Sequence, residues 1–192
     1  LKEQKVQTST ILFALSNFGP KAKAAVPALL DALKNKEDHL IILTLESIGT
    51  RAALQGLTEI WKSLKNPEFR AHILANLGNE EKHDAVPVLI EGLKDRNEEV
   101  RHTAAGWLGI IGPESKSAVP ALLEAVKDKR KSVKMAALFA LGSMGAEAKA
   151  AVPVLIKLLN EDRNKYIRSN AAEAFLKIDP QEAGKIKLSI LE

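Results

Sequence analysis

Histidine and cysteine, two residue types that often carry metal or acid–base chemistry, are sparse in this 192-residue sequence. It has four histidines and no cysteine, which excludes a thiolate nucleophile, a disulfide and a cysteine-ligated zinc site. The histidines stand at positions 39, 72, 83 and 102. No two of them have the H-x-x-x-H or H-E-x-x-H spacing that places two imidazoles on one helix face, so surface positions are expected for them. We expect no metal ion, no cofactor and no catalytic residue, and therefore no enzymatic activity.

The remaining chemical signal is a surplus of positive charge. The formal net charge is +4 and the pI is near 9.2. Residues 112–192 hold the whole surplus, with 14 Lys and Arg against 10 Asp and Glu. No glycine-rich phosphate loop of the form G-x-x-x-x-G-K-[ST] or G-x-G-x-x-G occurs, so phosphate contacts are expected at basic turns, where backbone N–H groups of helix N-termini also face outward. The candidates are Lys129, Arg130, Lys131, Arg163 and Lys165.

A repeat that runs through the whole chain positions these residues. Six segments have Leu or Phe, an apolar residue three positions later and then, in five of the six, glycine. They occupy residues 15–19, 45–49, 74–78, 108–112, 141–145 and 175–179, and their closing residues are 30, 29, 34, 33 and 34 positions apart. A period of about 33 residues indicates a stacked array of repeats rather than one globular core.

Within each repeat, apolar residues at helical spacing predict two amphipathic helices joined by a short polar turn. In the third repeat, Leu89 and Leu93 mark the first helix, and Val100, Ala104 and Leu108 mark the second. The glycine that follows the second helix is expected to stop it.

An Ala-Val-Pro tripeptide marks the first helix of four repeats, at residues 25–27, 85–87, 118–120 and 151–153. Proline lacks a backbone N–H, so it either opens a helix at its first turn or kinks a helix that has already begun. Because the preceding residues are compatible with a helix, we expect a kinked or two-piece first helix.

The shared pattern is A-V-P-x-L-x-x-x-L-x-D followed by V-R-x-x-A-x-x-A-L-x-x-I-G, and the third to fifth repeats match it most closely. In this pattern the chain resembles the HEAT-repeat family, specifically the short bacterial, phycobilin-lyase-like repeats. The resemblance implies an all-α, right-handed α-α superhelix of about 12 helices, with five full repeats and a half-repeat at each end. It also implies an ion-pair and capping ladder between repeats, with phosphate binding as the alternative role of its residues. These residues are Asp95 with Arg101, Asp128 with Lys134, and Asp162 with Arg168.

In this family, the second helices of successive repeats line the concave face of the solenoid. Positions one, four and eight before each stop have the spacing of a buried stripe, so positions two, six and nine are expected to face solvent there. We call this set of positions the second-helix row. Its apolar character predicts a protein-binding surface, unless superhelical curvature already covers it. The predicted binding residues are Phe13, Leu40, Leu43, Phe69, His72, Thr103, Ile110 and Phe139.

These features favour a non-catalytic scaffold that binds another protein or peptide through the concave face. Nucleic-acid binding at the basic turns is the alternative. It is disfavoured because carboxylates are interleaved with the cations and no aromatic residue interrupts the basic run. A bilin-lyase-like accessory role in chromophore attachment is a lesser alternative, which rests on the resemblance alone.

A single solenoid over residues 1–192 is the expected domain organisation. Because the sequence begins with Leu1, we expect it to be a segment of a longer protein. No apolar run approaches the roughly 18 residues that cross a membrane, so no membrane partner is expected. A cytoplasmic location is favoured, with export of the parent chain as the alternative.

Overall fold

The computed structural model describes residues 2–80 and 82–185, and every regular element in that part of the chain is helical. The α-helices are α1 (Lys2–Phe18), α2 (Val26–Asn35), α3 (His39–Ile48), α4 (Arg51–Ile60), α5 (Pro67–Glu80), α6 (Lys82–Gly92), α7 (Glu98–Ile111), α8 (Val119–Ala125), α9 (Lys131–Met144), α10 (Val152–Glu161), α11 (Lys165–Ile178) and α12 (Pro180–Lys185). Four 3₁₀ segments lie beside them, at Gly19–Ala25, Trp61–Ser63, Gly112–Ala118 and Gly145–Ala151. The odd-numbered helices are the second helices of the repeats, and the predicted all-α solenoid class is confirmed.

The chain forms two compact units, Leu1–Leu77 and Gly78–Glu192. In unit 1, α1 packs against α3, and α2 packs against α3 and α4. In unit 2, α9 packs between α7 and α11, while α6, α8 and α10 pack against α7, α9 and α11 respectively. Each unit is therefore built by stacking second helices side by side and covering them with first helices.

The buried stripe of the second helices follows the predicted spacing. In α9, Val133, Ala137 and Leu141 are fully buried, and each buried aliphatic side chain of leucine size stabilises the fold by about 1.5–3 kcal/mol. In α1, the corresponding Ile11 and Phe18 are exposed, contrary to the predicted burial. No first helix precedes α1 in the described residues, so nothing there covers this side of it.

The turns and stops of the second helices have specific polar and backbone causes. The side chains of Asn97 and Asn164 accept hydrogen bonds from backbone N–H groups in the first turns of α7 and α11, at 2.8 and 3.0 Å, which caps those helices. Arg130 holds the same position before α9 and makes no capping bond. Gly112 and Gly145 end α7 and α9 with φ of +73° and +57°, a conformation that residues with a Cβ rarely adopt.

The four Ala-Val-Pro prolines behave in two ways. Pro27, Pro120 and Pro153 lie in the first two positions of α2, α8 and α10, each directly after a 3₁₀ segment, so the predicted two-piece first helix is confirmed there. Pro87 instead lies inside the continuous helix α6. The predicted stop at Gly78 is also wrong, because α5 continues to Glu80. Consequently no glycine-initiated 3₁₀ segment precedes α6.

One helical stretch of the described residues, Lys131–Glu161, is long and apolar enough to cross a membrane by length and composition. Glu147 and Lys149 interrupt its apolar residues, so it does not appear in the sequence as an unbroken apolar run. The stretch is not one straight helix, since Gly145 has a positive φ and Ala148 is non-helical. It comprises α9, a 3₁₀ segment and α10, and Val133, Leu141, Leu155 and Leu159 of these helices are buried inside unit 2.

Candidate functional site

The second-helix row exposes a set of large apolar side chains. In unit 1, Phe13 on α1 is 69% exposed, and Leu40 and Leu43 on α3 are 44% and 38% exposed. In unit 2, Ile110 on α7 and Phe139 on α9 are 53% and 47% exposed. The other predicted binding residues, Phe69, His72 and Thr103, are half-buried. Soluble proteins seldom leave contiguous apolar side chains in water unless a partner covers them.

An open groove of about 650 Å³ is lined by residues of α1 and α3 in unit 1. Its apolar lining consists of Leu12, Phe13, Leu40 and Leu43, and its polar lining consists of Ser9, Thr10, Ser16, Thr44 and Ser47. The hydroxyls of Thr44 and Ser47 donate to the carbonyls of Leu40 and Leu43 in their own helix, at 2.7 and 2.8 Å. Because these hydroxyls already have acceptors, the groove is largely an apolar surface with a polar edge.

A polar and aromatic cluster joins α3 to α5. The His39 ring stacks on Phe69 with centroids 5.8 Å apart and meets the His72 ring edge-on at 4.9 Å. His72 Nε2 lies 3.2 Å from Glu46 Oε2, and Asn76 Nδ2 donates to Glu46 Oε1 at 2.7 Å. The two half-buried row residues of α5 are thus held in place by side chains from α3.

Burial raises the pKa of the Glu46 carboxyl above its ordinary value, and the charges and hydrogen bond of the neighbouring histidines oppose that effect. The cluster contains two imidazoles and one carboxylate. Among residues 2–80 and 82–185, however, no group of three or more His, Cys, Asp or Glu is arranged to hold a metal ion. The side chains of the cluster are linked by the hydrogen bonds and ring contacts given above.

In unit 2, the row is supported by close contact between α7 and α9. A Cβ atom at Gly109 would lie 2.6 Å from Cε1 of Phe139 and 3.0 Å from Cα of Ala140, so only glycine lets the ring rest on α7. Ala136 also belongs to the row by spacing, yet it is buried. The expectation that it faces solvent is wrong, because α9 is packed by helices on both sides.

Arg101 connects two consecutive turns of unit 2. The residue is only 8% exposed. Its Nε and Nη2 donate to the two carboxylate oxygens of Asp128, at 2.7 and 3.1 Å. Its Nη1 donates to the backbone carbonyls of Asp95 and Arg96, at 2.8 and 3.1 Å. This bidentate geometry is the strongest form of an arginine–carboxylate pair.

The next ion pair of this ladder joins Lys134 to Asp162 at 3.7 Å. The predicted ladder therefore runs between repeats, and Arg168 donates to the carbonyl of Asp162 in its own repeat at 2.8 Å. Burial acts to raise the pKa of Asp128, but hydrogen bonds from Arg101 and from the Arg130 backbone N–H outweigh it. The pKa of Asp128 consequently lies below its ordinary value.

The five predicted phosphate-contact residues are exposed and lie in two neighbouring turns of unit 2. The ammonium groups of Lys131 and Lys165 lie 4.3 and 5.2 Å from the ring centroid of Tyr166, so one aromatic ring joins the two turns. Tyr166 is itself 53% exposed. The expectation that no aromatic residue interrupts the basic run is therefore wrong, and the sequence signal was the adjacency of Tyr166 to Lys165. We call Lys129, Lys131, Arg163, Lys165 and Tyr166 the basic edge.

Comparison with known proteins agrees with this architecture. The family model described as HEAT repeats matches residues 62–128 and 86–176. No curated protein sequence matches the chain. A chain in the structure of the CpcE–CpcF complex of phycocyanin lyase from Nostoc sp. PCC7120 is 25% identical, with a TM-score of 0.60 over 79% of this chain and 98% of that one.

Designed repeat proteins have the same fold. An armadillo repeat protein in complex with the peptide (KR)4 is 18% identical with a TM-score of 0.57, covering 92% of this chain and 94% of that one. Computationally designed armadillo repeat proteins for modular peptide recognition have the same TM-score and coverage at 20% identity. Since the HEAT-repeat matches together span more than half of the sequence, the chain belongs to the HEAT-repeat family.

Proposed function

We propose that this protein is a non-catalytic scaffold that binds another protein through its second-helix row, the surface predicted to be concave. The observation that carries the proposal is the exposure of Phe13, Leu40, Leu43, Ile110 and Phe139 at the row positions. Burying these side chains against a partner would remove apolar surface from water, which is the main favourable term in protein association.

The groove between α1 and α3 supports an apolar side chain of the partner as the anchor in unit 1. Phe13, Leu40 and Leu43 line the same groove. The hydroxyls of Thr44 and Ser47 already donate hydrogen bonds within their helix, so an apolar ligand would not break those bonds. Binding energy in such interfaces is concentrated in a few well-packed apolar contacts. The similar chain from Nostoc was solved in a complex of two proteins, CpcE and CpcF, which further supports a protein as the partner class.

The test is a partner capture followed by a measured affinity. Proteins captured from the source organism by the immobilised chain would be purified, and their Kd values measured by calorimetry. Replacing both Phe13 and Leu43 by aspartate is expected to weaken binding at least 30-fold, because losing a hot-spot contact costs about 2 kcal/mol or more. Circular dichroism of each variant checks that the helices remain folded.

Leu176→Asp is the matched control, since Leu176 is an exposed apolar residue of similar accessibility, 42%, that lies outside the row. Its Kd is expected to stay within about threefold of the unmodified protein, as for most surface substitutions. Equal losses for the row and control variants would contradict the proposal, as would a partner whose affinity does not depend on Phe13 and Leu43.

A further inference from the structure

Three of the carboxylates beside the basic edge pair with cations that lie outside it. Asp128 is bound by the buried Arg101 at 2.7 Å, and Asp162 pairs with Lys134 at 3.7 Å. Glu98 pairs with Arg130. Three of the negative charges that argued against an anion-binding surface are thus paired within the fold.

The cations of the basic edge have no such partner. In the described part of the chain, Lys129, Lys131, Arg163 and Lys165 form no ion pair with a carboxylate. The ring of Tyr166 attracts the ammonium groups of two of them through its quadrupole but carries no formal charge. Two adjacent turns therefore carry four cations without a carboxylate ion pair, and the charge of Lys129 also acts on Asp128.

The turns that carry these charges are tied to neighbouring elements by ion pairs within the protein. The Arg101–Asp128 ion pair ties the turn before α9 to the turn before α7, and Lys134–Asp162 ties the turn before α11 to α9. Like charges held at fixed positions attract counterions, and a polyanion that displaces those counterions gains free energy from their release.

We propose that the basic edge binds nucleic acid, with Lys129, Lys131, Arg163 and Lys165 contacting backbone phosphates and Tyr166 contacting an adjacent base or sugar. The combination of several unpaired cations with one exposed aromatic ring favours nucleic acid over an acidic peptide. A peptide carboxylate would use the charges but not the ring, whereas bases stack on aromatic side chains. This surface is separate from the second-helix row, so the two proposals can fail independently.

The experiment measures fluorescence anisotropy of labelled oligonucleotides of about 16 nucleotides with the full chain, as single-stranded DNA, single-stranded RNA and duplex DNA. Affinity should fall steeply with salt, each phosphate contact contributing about 0.7 units to the slope of log affinity against log salt on single strands and about 0.9 on a duplex. Neutralising all four cations to alanine should weaken binding at least tenfold and reduce the single-strand slope by about 3 units.

The matched control neutralises four other exposed lysines of unit 2 that already have carboxylate partners, namely Lys94, Lys116, Lys149 and Lys157. It removes the same charge and should leave the affinity within threefold and the slope unchanged. Tyr166→Ala should weaken single-strand binding more than duplex binding, and Tyr166→Phe should retain it. Phe139→Asp, in the second-helix row, should have no effect on nucleic-acid affinity.

Three outcomes would overturn the proposal. The first is no binding to any of the three nucleic acids at low salt. The second is equal loss in the edge and control variants, which would indicate attraction by net charge alone. The third is binding of an acidic peptide or an anionic phospholipid vesicle at least as tightly as nucleic acid, which would assign the edge to that partner instead.

Discussion

Replacing Arg101 by alanine is expected to destabilise unit 2 by about 3–5 kcal/mol, the range observed when one partner of a buried ion pair is removed. The range for buried ion pairs applies, rather than the smaller one for surface pairs, because the side chains of Arg101 and Asp128 are only 9% and 12% exposed. The substitution removes both guanidinium bonds to the Asp128 carboxylate, and it leaves the carbonyls of Asp95 and Arg96 without that donor. Urea unfolding followed by circular dichroism gives the free energy, and hydrogen exchange of α7 and α9 amides assigns the loss to unit 2.

Lys134→Ala is the matched comparison, since Lys134 makes the next ion pair of the same ladder. That pair is longer, at 3.7 Å, and its lysine is 26% exposed, so its loss should cost only about 0.5–1 kcal/mol. Adding Asp128→Asn to the Arg101→Ala variant should recover part of the lost stability, because it removes the unpaired buried charge. The assignment of Arg101 as the main link between turns would be refuted if Arg101→Ala lowered the free energy of unfolding by less than about 1 kcal/mol. Equal losses of stability for Arg101→Ala and Lys134→Ala would also refute it.

Three further outcomes are expected. Gly109→Ala should lower the free energy of unfolding by about 1–3 kcal/mol, because its Cβ would displace the Phe139 ring. A Cβ at Gly106 in the same helix meets nothing within 4 Å, so Gly106→Ala should raise that free energy by about 0.5–1 kcal/mol. Thermal unfolding compares the two variants. Phe139→Asp should lower the free energy of unfolding by about 1 kcal/mol, since the half-exposed ring still packs on α7. Leu141→Asp should unfold unit 2, because it buries a charge. Circular dichroism distinguishes the two results. The lowered pKa of Asp128 contributes stability that is present above its unfolded pKa of about 3.9 and lost as pH falls through the folded value; Asp128→Asn should abolish that acid-dependent loss in urea titrations.

The repeat architecture could be predicted from sequence because its causes are local. The helical spacing of apolar residues predicts the burial of Leu141. The lack of a Cβ atom allows the positive φ of Gly145. The choice between a proline that opens a helix and one that lies inside it could not be predicted. It depends on whether the preceding second helix stops at its glycine, and α5 does not stop at Gly78.

Contacts between repeats were harder to predict because the repeat period gives only the approximate separation of the partners, not which side chains meet. His39 and His72 meet edge-on only because α3 and α5 are neighbours, although neither has a partner at metal-binding spacing in its own helix. Lys131 reaches Tyr166 across the next turn in the same way. The binding role of the second-helix row and of the basic edge stays a prediction until a ligand is measured.

The ion pairs between turns also bear on how such a chain can grow. The repeat that ends at Gly145 supplies an acceptor, Asp128, to the repeat before it and a donor, Lys134, to the repeat after it. A tandem duplication of this block would give each new lysine of the ladder a carboxylate in the following repeat, so every ion pair of the ladder would be kept. Duplication of a whole repeat therefore lengthens the array and keeps the ion pairing between successive repeats. A duplication out of phase would leave Arg101 facing a turn without a carboxylate, so natural selection for a folded chain favours growth in units of one repeat.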